Sequence, residues 1–273
     1  MAFVAKSRFF AGVATALLGL AGTAHAAAQC GNNSSGFPEW IQQYKQEAQA
    51  QGIGSRGIRA LDNVTYASKT INADRNMKSF KYSLDKFMQV RGAQTIVSRG
   101  KKQKAQNAAL FDRIEQRYGV PAGPLLAIWG METGFGAYLG SQNTLSAVAT
   151  LAYDCRRPDY FRPHLNAALQ LVDNGTLSPD AKGAMHGEIG QTQFLPLNVL
   201  KYGADGDGNG RIDMVRSKAD ALASTANFLR GHGWQKGAGY QPGQPNYSAI
   251  QGWNAASVYQ QAIAIMGAQI DGQ

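Results

Sequence analysis

The stretch from Leu125 to Gly140 constrains this chain most, because it predicts a short apolar helix that ends on a single carboxylate, Glu132. Pro121 and Pro124 lie just before the stretch. Proline is tolerated in the first turn of a helix, where the amide would be unbonded anyway. Apolar residues and then Glu132 follow Leu125 at the i, i+3, i+4, i+7 spacing of one helix face. The carboxylate is therefore predicted to lie on the apolar face of the helix.

A carboxyl group on such a face should have a raised pKa. No lysine or arginine lies within a helical turn of Glu132, and desolvation disfavours the charged form of an acid. Glu132 would then be a general acid near neutral pH. Gly134 and Gly136 allow the chain to leave the helix through backbone conformations that favour glycine. The alternative is a structural glutamate that ends the helix at the edge of the core and reaches solvent past these glycines.

Residues 1–26 have the composition of an export signal. Lys6 and Arg8 precede an apolar run, and small residues at positions 24–26 supply a cleavage site. The run is shorter than the ~20 residues of a membrane-spanning helix, which makes a membrane anchor the weaker alternative. We therefore expect a periplasmic protein without a transmembrane segment after cleavage near Ala26.

The remaining residues, 27–273, are enough for one substantial domain. The chain has 27 Lys+Arg against 18 Asp+Glu, and loss of Lys6 and Arg8 with the signal leaves an excess of seven basic residues. An exported basic protein is expected to meet an anionic partner, and the peptide carboxylates of the bacterial wall polymer fit better than nucleic acid. The alternative is that the charge only aids solubility.

Two cysteines, Cys30 and Cys155, are the number that one disulfide needs in an oxidising compartment. Lipidation of Cys30 is the alternative. Gln29 stands directly before Cys30, where a lipoprotein signal ends in a small residue, so we expect the disulfide.

Helical periodicity dominates the rest of the chain, and alternating strand patterns are scarce, which predicts an all-α, mainly helical domain. The basic segment from Arg91 to Lys104 is either a solvated helix face or a patch that faces the wall. A loop rich in glycine and proline is expected at Gly237–Pro245. Helices are predicted over Leu145–Tyr153, Tyr160–Asn174, Ala219–His232 and Ala255–Gln269.

A second motif runs from Asp205 to Asp213 and has the pattern of a calcium loop, with oxygen-bearing side chains at positions 1, 3, 5 and 9 and glycine at position 6. Position 12 is Arg216, which cannot bind a cation, so a closing carboxylate must come from elsewhere. The alternative is a flexible surface turn. The expected ligands of a structural Ca²⁺ are Asp205, Asp207, Asn209, the carbonyl of Arg211, Asp213 and Asp220.

A third motif contains Gln191, Gln193 and Phe194 just before Pro196. Glutamines supply hydrogen-bond donors and acceptors, and phenylalanine supplies a flat apolar face, which is the mixture that sugar sites use. A polar segment that starts a helix before Pro196 would use the same residues. This motif alone therefore does not distinguish a sugar site from the start of a helix.

Together these motifs resemble the B-type family of bacterial lytic murein transglycosylases over about residues 37–267. The resemblance implies a lysozyme-like core with a helical N-terminal lobe, peptidoglycan strands as the partner, no cofactor for the chemistry, and a monomer. It also implies that Glu132 is the sole catalytic acid and base. The motifs that carry the resemblance are Trp129–Gly136, Thr150–Arg157, Gly190–Pro196, the calcium-type loop and Ala219–Asn227. The residues that it implies would line the glycan cleft are Arg156, Arg157, Gln193, Phe194, Trp253, Asn254 and Tyr259.

The segment Gly183–Gly190 departs from the family pattern. Ala184 stands where the family often has a serine that would hydrogen-bond the catalytic carboxylate, and His186 and Glu188 are added titratable groups. We expect Glu188 to lie near the cleft.

By the same resemblance, one carboxylate suffices for cleavage without water, whereas most glycosidases need two. Glu132 would protonate the oxygen between N-acetylmuramic acid and N-acetylglucosamine and then accept the proton of the C6 hydroxyl as a 1,6-anhydro ring closes. One alternative is a hydrolytic muramidase of the same fold in which Glu188 or another acid activates water. The other is a wall-binding protein that has lost its chemistry.

Overall fold

A computed structural model describes residues 28–76 and 81–273, and it confirms a mainly helical protein. The predicted export signal, residues 1–26, lies outside the described residues. The helices are α1 (Phe37–Ala50), α2 (Ser55–Ala60), α3 (Ser68–Arg75), α4 (Leu84–Arg91), α5 (Ala93–Gln106), α6 (Ala108–Tyr118), α7 (Ala122–Thr133), α8 (Thr144–Tyr153), α9 (Pro158–Asp173), α10 (Pro196–Tyr202), α11 (Lys218–Gly231), α12 (Tyr247–Trp253) and α13 (Ser257–Asp271), with a 3₁₀ turn at Leu61–Asn63.

The described residues form one small sheet, in which β1 (Gln142–Asn143) pairs with β2 (Lys182–Gly183) in antiparallel register. The helices predicted from periodicity are present with ends shifted by one or two residues, and no helix interrupts Gly237–Pro245. Helix α12 was not predicted, because its seven residues are too few to show a clear period.

Helix α7 lies at the centre of the fold, packed against α5, α11 and α13. All of its residues are buried except Glu132, which is partly exposed. The predicted apolar helix is therefore present, and it is buried on every side. A helix that is apolar all round is buried on every side, and its one carboxylate reaches the surface only through a cleft.

The crossing of α7 and α13 depends on Gly123 and Gly267. A Cβ atom on Gly123 would come within 2.2 Å of the Gly267 carbonyl oxygen, and one on Gly267 within 3.0 Å of the Pro124 nitrogen. The two backbones can therefore touch. This close approach brings the N-terminal end of α13 alongside the C-terminal end of α7, where Glu132 lies.

The N-terminal segment is joined to the end of α8. Cys30 and Cys155 form the predicted disulfide, and the backbone amide of Gly31 donates to the carbonyl of Tyr153 at 3.0 Å. The ring of Tyr153 packs against α1, 5.4 Å from Phe37 between ring centroids. The disulfide thus closes a contact that is already apolar and hydrogen-bonded.

The basic segment forms most of α5, and its cations are of two kinds: some have partners within the protein and others are exposed. Arg99 donates to the carbonyl of Gly134 at 3.1 Å and lies over the ring of Phe135. Lys104 pairs with Asp271 at 2.9 Å. These two cations are therefore structural, whereas Lys101 and Lys102 are exposed.

Within residues 28–76 and 81–273, no helix combines the length and apolarity that crossing a membrane requires.

Candidate active site

Glu132 lines a cavity of about 550 Å³ at the C-terminal end of α7. The size is within the range of ligand-binding clefts. Gly134, with φ 58°, ends the helix in the left-handed conformation that glycine adopts without a Cβ penalty. The predicted site residues that line the cavity are Glu132, Arg157, Glu188, Gln193, Phe194, Trp253, Asn254 and Tyr259.

Two side chains from the C-terminal part of the chain donate hydrogen bonds to Glu132. The hydroxyl of Tyr259 lies 2.6 Å from Oε1, and the indole Nε1 of Trp253 lies 3.1 Å from the same oxygen. Burial raises the pKa of Glu132 from 4.5 to about 7, while these two bonds and the charge of Arg91 act against the rise and Glu188 adds to it. A carboxyl with this pKa can both donate and accept a proton near neutral pH.

Tyr259 and Phe194 have different surroundings from those expected of sugar-binding side chains. Both are almost fully buried, and Phe194 packs its ring edge to face against Trp253, with centroids 5.3 Å apart. The expectation of a free Phe194 face for a sugar was therefore wrong. Phe194 supports Trp253, and Tyr259 contacts the carboxylate of Glu132 directly.

Asn254 lines the cavity and also joins α12 to α13. Its side-chain oxygen accepts from the amide of Ala256 at 2.9 Å, and its carbonyl accepts from the side chain of Gln260 at 2.8 Å. These bonds hold the turn that places Trp253 and Tyr259 on the same side of Glu132.

Gln193 has a strained backbone at the cavity wall. Its φ is 54°, in the left-handed region that residues with a Cβ rarely adopt. Ile189 and Phe194 exchange two backbone hydrogen bonds across this tight turn. Strain of this kind is held in place by its surroundings and occurs often at functional sites.

Gln191 and Arg156 were expected in the cleft but are not among the residues that line the cavity. Gln191 is buried, and its side-chain amide donates to the carbonyl of Val215 at 3.1 Å. Its own carbonyl accepts from the hydroxyl of Thr133 at 2.6 Å, which fastens the third motif to the end of α7. Arg156 pairs with the buried carboxylate of Asp74.

Asp74, Arg91 and Tyr160 are site residues that no motif in the sequence predicts. Asp74 pairs with both Arg156 and Arg157 from 82 and 83 positions away, and no local pattern indicates such a contact. Arg91 was assigned to the basic segment, but it lines the cavity and lies over the ring of Tyr259. Tyr160 is exposed at the cavity. Its position three residues after Arg157 is the sequence feature from which it could have been predicted.

His186 and Glu188 both line the cavity, as does Ala184. The Glu188 carboxylate accepts from the backbone amide of His186 at 3.0 Å, and its other oxygen lies 3.1 Å from the imidazole Nδ1. Glu188 therefore lies at the same cavity as Glu132. Ala184 supplies no hydrogen bond from its side chain.

The calcium-type loop brings three carboxylates together. Ligand oxygens of Asp205, Asp207 and Asp220 all lie within 4.8 Å of one another, so Asp220 does approach the loop from α11. The backbone amides of Gly210, Gly208 and Asn209 hold the pKa of Asp205 below its ordinary value. Hard oxygen donors at this spacing fit a Ca²⁺ ion.

The remaining expected ligands have other contacts as well. One oxygen of Asp213 accepts from the amides of Val215 and Arg216 at 3.0 and 2.9 Å. Asn209 accepts from the amide of Arg211 at 2.9 Å. Asp213 therefore caps the turn that follows the loop.

Comparison with known proteins agrees with this architecture. The chain is 35% identical over 145 residues to membrane-bound lytic murein transglycosylase B of Escherichia coli (strain K12), a match that covers 50% of this chain and 40% of that protein. The match thus spans less than half of the relative's length.

Solved structures are similar over more of the chain. The crystal structure of SltB3 from Pseudomonas aeruginosa in complex with NAG-anhNAM-pentapeptide has a TM-score of 0.79 and 28% identity, with 86% of this chain and 80% of that chain covered. The Escherichia coli lytic transglycosylase Slt35 in complex with calcium shares the fold, with a TM-score of 0.73 and 23% identity over 91% of this chain and 97% of that one. The family described as Transglycosylase SLT domain matches residues 36–243. The chain therefore belongs to the transglycosylase SLT domain family.

Proposed function

We propose that this protein is a peptidoglycan lytic transglycosylase that uses Glu132 as its single acid and base. The observation that carries the proposal is a carboxyl on a buried helix that opens only to a cleft, with a pKa raised to about 7 and two hydrogen-bond donors on one of its oxygens. Membership of the transglycosylase family and the similarity to SltB3 with its bound NAG-anhNAM-pentapeptide support the substrate class.

The reaction begins with protonated Glu132, which donates its proton to the oxygen between N-acetylmuramic acid and N-acetylglucosamine. The bond from C1 of N-acetylmuramic acid to this oxygen then breaks, N-acetylglucosamine leaves with the proton, and the substrate's own acetamido group stabilises the positive charge at C1. Tyr259 and Trp253 stabilise the carboxylate that remains, because hydrogen bonds to an ionised acceptor are the strong ones.

In the second step the Glu132 carboxylate accepts the proton of the muramyl C6 hydroxyl, whose oxygen bonds to C1. The product carries a 1,6-anhydro ring, and no water is consumed. A pKa near ambient pH suits both steps, since one group must give and then take a proton.

Substrate recognition would use the charged and aromatic side chains around Glu132. Arg157 lines the cavity, and its guanidinium, which also pairs with Asp74, is a forked donor for lactyl or peptide carboxylates. Tyr160 adds an exposed ring on the same side, with the Arg157 guanidinium 5.8 Å from its centroid. Gln193 and Asn254 supply amides for sugar hydroxyls.

The calcium-type loop is proposed to bind a structural Ca²⁺ through Asp205, Asp207 and Asp220, with the Arg211 carbonyl as a further ligand. The chemistry proceeds without it. We further propose that residues 1–26 are removed on export and that residues 27–273 form one catalytic domain, acting as a monomer in the periplasm.

The test is a digest of purified murein by the wild type and the Glu132→Gln variant, with the products weighed by mass spectrometry. Wild type should release muropeptides with anhydro ends, which are lighter by one water than reducing ends. Glu132→Gln keeps the shape but has no transferable proton, so cleavage should fall by at least ~10²-fold while sedimentation with murein persists. Near-normal cleavage by this variant would exclude Glu132 as the acid.

A hydrolytic muramidase is the second candidate, favoured by the presence of Glu188 in the same cavity as Glu132. Two carboxylates on either side of a glycosidic bond can activate water. The same digest in ¹⁸O-labelled water separates the candidates: hydrolysis gives labelled reducing ends, and a wall-binding protein without chemistry gives no products.

A further inference from the structure

The turn that carries Glu188 is held in one conformation. The amide of Ala184 donates to the Glu188 carbonyl at 3.1 Å, and the Met185 carbonyl accepts from the hydroxyl of Thr70 at 2.6 Å. Gly187 has φ 86°, and a Cβ there would lie 2.4 Å from a methyl carbon of Val148. The turn is therefore packed against α8 and bonded to α3.

The Glu188 side chain folds back on His186 and is fixed at both oxygens. One oxygen accepts from the His186 amide at 3.0 Å, and the other lies 3.1 Å from the ring Nδ1. The opposite ring nitrogen of His186 is 3.8 Å from Asp74. The side chain of Glu188 is 22% exposed, and the residue lines the cavity.

Charged and titratable groups reach the cavity around Glu132 from four directions. Arg91 comes from the end of α4, Tyr259 from α13, Arg157 from the start of α9, and Glu188 with His186 from the turn after β2. Of the nearby charges, Glu188 raises the pKa of Glu132 and Arg91 lowers it, while burial makes the largest contribution.

We propose that Glu188 is a positioning residue whose negative charge, held in the same cavity, adds to burial in favouring the protonated Glu132 carboxyl until the glycosidic oxygen takes the proton. The inference rests on the proposed role of Glu132 as acid. Of the other two residues of this turn that line the cavity, Ala184 has only a methyl group and His186 directs its Nδ1 to Glu188. Glu188 therefore acts through its charge across the cavity, and Arg91, stacked over the ring of Tyr259, is the opposing charge.

The main test is the pH dependence of kcat/KM for murein cleavage. The descending limb of the profile reports loss of the proton from the free enzyme's acid. In Glu188→Gln this limb should move to lower pH, because a like charge that disfavoured ionisation is gone. Glu188→Asp keeps the charge and should keep the limb near its wild-type position. Arg91→Gln should move the limb to higher pH.

A matched control is Glu39→Gln, an exposed glutamate on α1. Its profile should coincide with that of the wild type. A structural role for Glu188 would lower activity at every pH without moving the limb, so an unmoved limb in a folded Glu188→Gln variant would overturn the proposal. A shift of Arg91→Gln in the same direction as Glu188→Gln would also overturn it.

A second readout does not depend on turnover. The carboxyl ¹³C resonance of Glu132, assigned by its loss in Glu132→Gln, gives the titration of this group directly. Its midpoint should fall in Glu188→Gln and rise in Arg91→Gln. If Glu132→Gln stays active, the proposed function fails while this titration still decides whether Glu188 controls the proton on Glu132.

Discussion

The hydroxyl of Tyr259 donates a 2.6 Å hydrogen bond to Oε1 of Glu132, joining the first turn of α13 to the last turn of α7. Burial and the adjacent carboxylate raise the pKa of Tyr259 well above its ordinary value, so the phenol remains a donor. The bond favours the ionised carboxylate, which is the species that must accept a proton in the second step of the proposed reaction.

Tyr259→Phe should therefore lower kcat by about 10- to 100-fold, the equivalent of the ~1.5–3 kcal/mol that a hydrogen bond to a charged group contributes. The descending limb of the pH profile should move to higher pH, because the pKa of Glu132 rises further without this bond. Steady-state cleavage of murein across pH measures both effects.

Tyr240→Phe is the matched control for this variant, because the Tyr240 hydroxyl donates to the carboxylate of Asp271 at 2.9 Å away from the cavity. It removes a similar buried bond and should leave the pH profile unchanged. An equal loss of activity in both variants would mean that Tyr259 matters only for folding.

Glu132→Gln should stabilise the protein at alkaline pH while it abolishes activity. The unfolded chain releases the Glu132 proton near pH 4.5, whereas the folded protein retains it until about pH 7. The folded state thus loses stability as pH rises between these values. Relative to wild type, the variant should gain up to ~3 kcal/mol in unfolding free energy above pH 7 and nothing below pH 4.

Urea unfolding at about pH 4 and pH 8 measures this difference, since stability follows from the midpoint and slope. An equal offset at both pH values would show that the substitution acts through packing and not through the proton on Glu132.

Calcium should raise the melting temperature and leave the chemistry unchanged. We expect binding on the order of 10⁻⁴ to 10⁻³ M, as in extracellular calcium modules, and stabilisation that grows with the logarithm of the Ca²⁺ concentration. Asp207→Asn should weaken the thermal shift, whereas Asp180→Asn, at an exposed position outside the loop, should not. Mg²⁺ at the same concentration tests selectivity. If the enzyme is fully active in chelator and Ca²⁺ gives no thermal shift, the loop is a surface turn and not a calcium site.

Loss of the Cys30–Cys155 disulfide should destabilise the protein and weaken substrate binding together. The two cysteines are 125 positions apart, and closing a loop of that length contributes up to ~4–5 kcal/mol by chain-entropy reasoning. Asp154, beside the disulfide, accepts from the amide of Arg156 at 2.9 Å and pairs with Arg75 at 2.6 Å. Loss of the disulfide should release the segment that follows Asp154 and so disorder the side chain of Arg157.

Calorimetry of the reduced protein and of the double variant Cys30→Ser/Cys155→Ser measures the stability loss, and sedimentation with murein measures binding. Mass spectrometry of the mature, non-reduced protein comes first. Two free thiols, or a diacylglyceryl group on Cys30, would refute the pairing.

The amino-acid sequence by itself determined the local features of the site. An apolar run that ends in Glu132 and Gly134 specifies α7 and its end, because periodicity and glycine at the C-terminus act within one or two turns. The calcium-type loop and the number of cysteines in an exported chain are equally local signals. Family resemblance then assigned a role to Glu132 that spacing alone left open.

Only the tertiary structure decided which groups surround the Glu132 carboxyl. Its donors, Trp253 and Tyr259, lie 121 and 127 positions away. Tyr259 reaches it on α13, which packs against α7, and Trp253 reaches it at the end of α12, which the Asn254 bonds join to α13. The burial of Phe194 against Trp253 likewise joins residues that are far apart in the chain. No periodicity encodes such contacts, since they arise when separate helices exclude water from a shared core and bring distant side chains together.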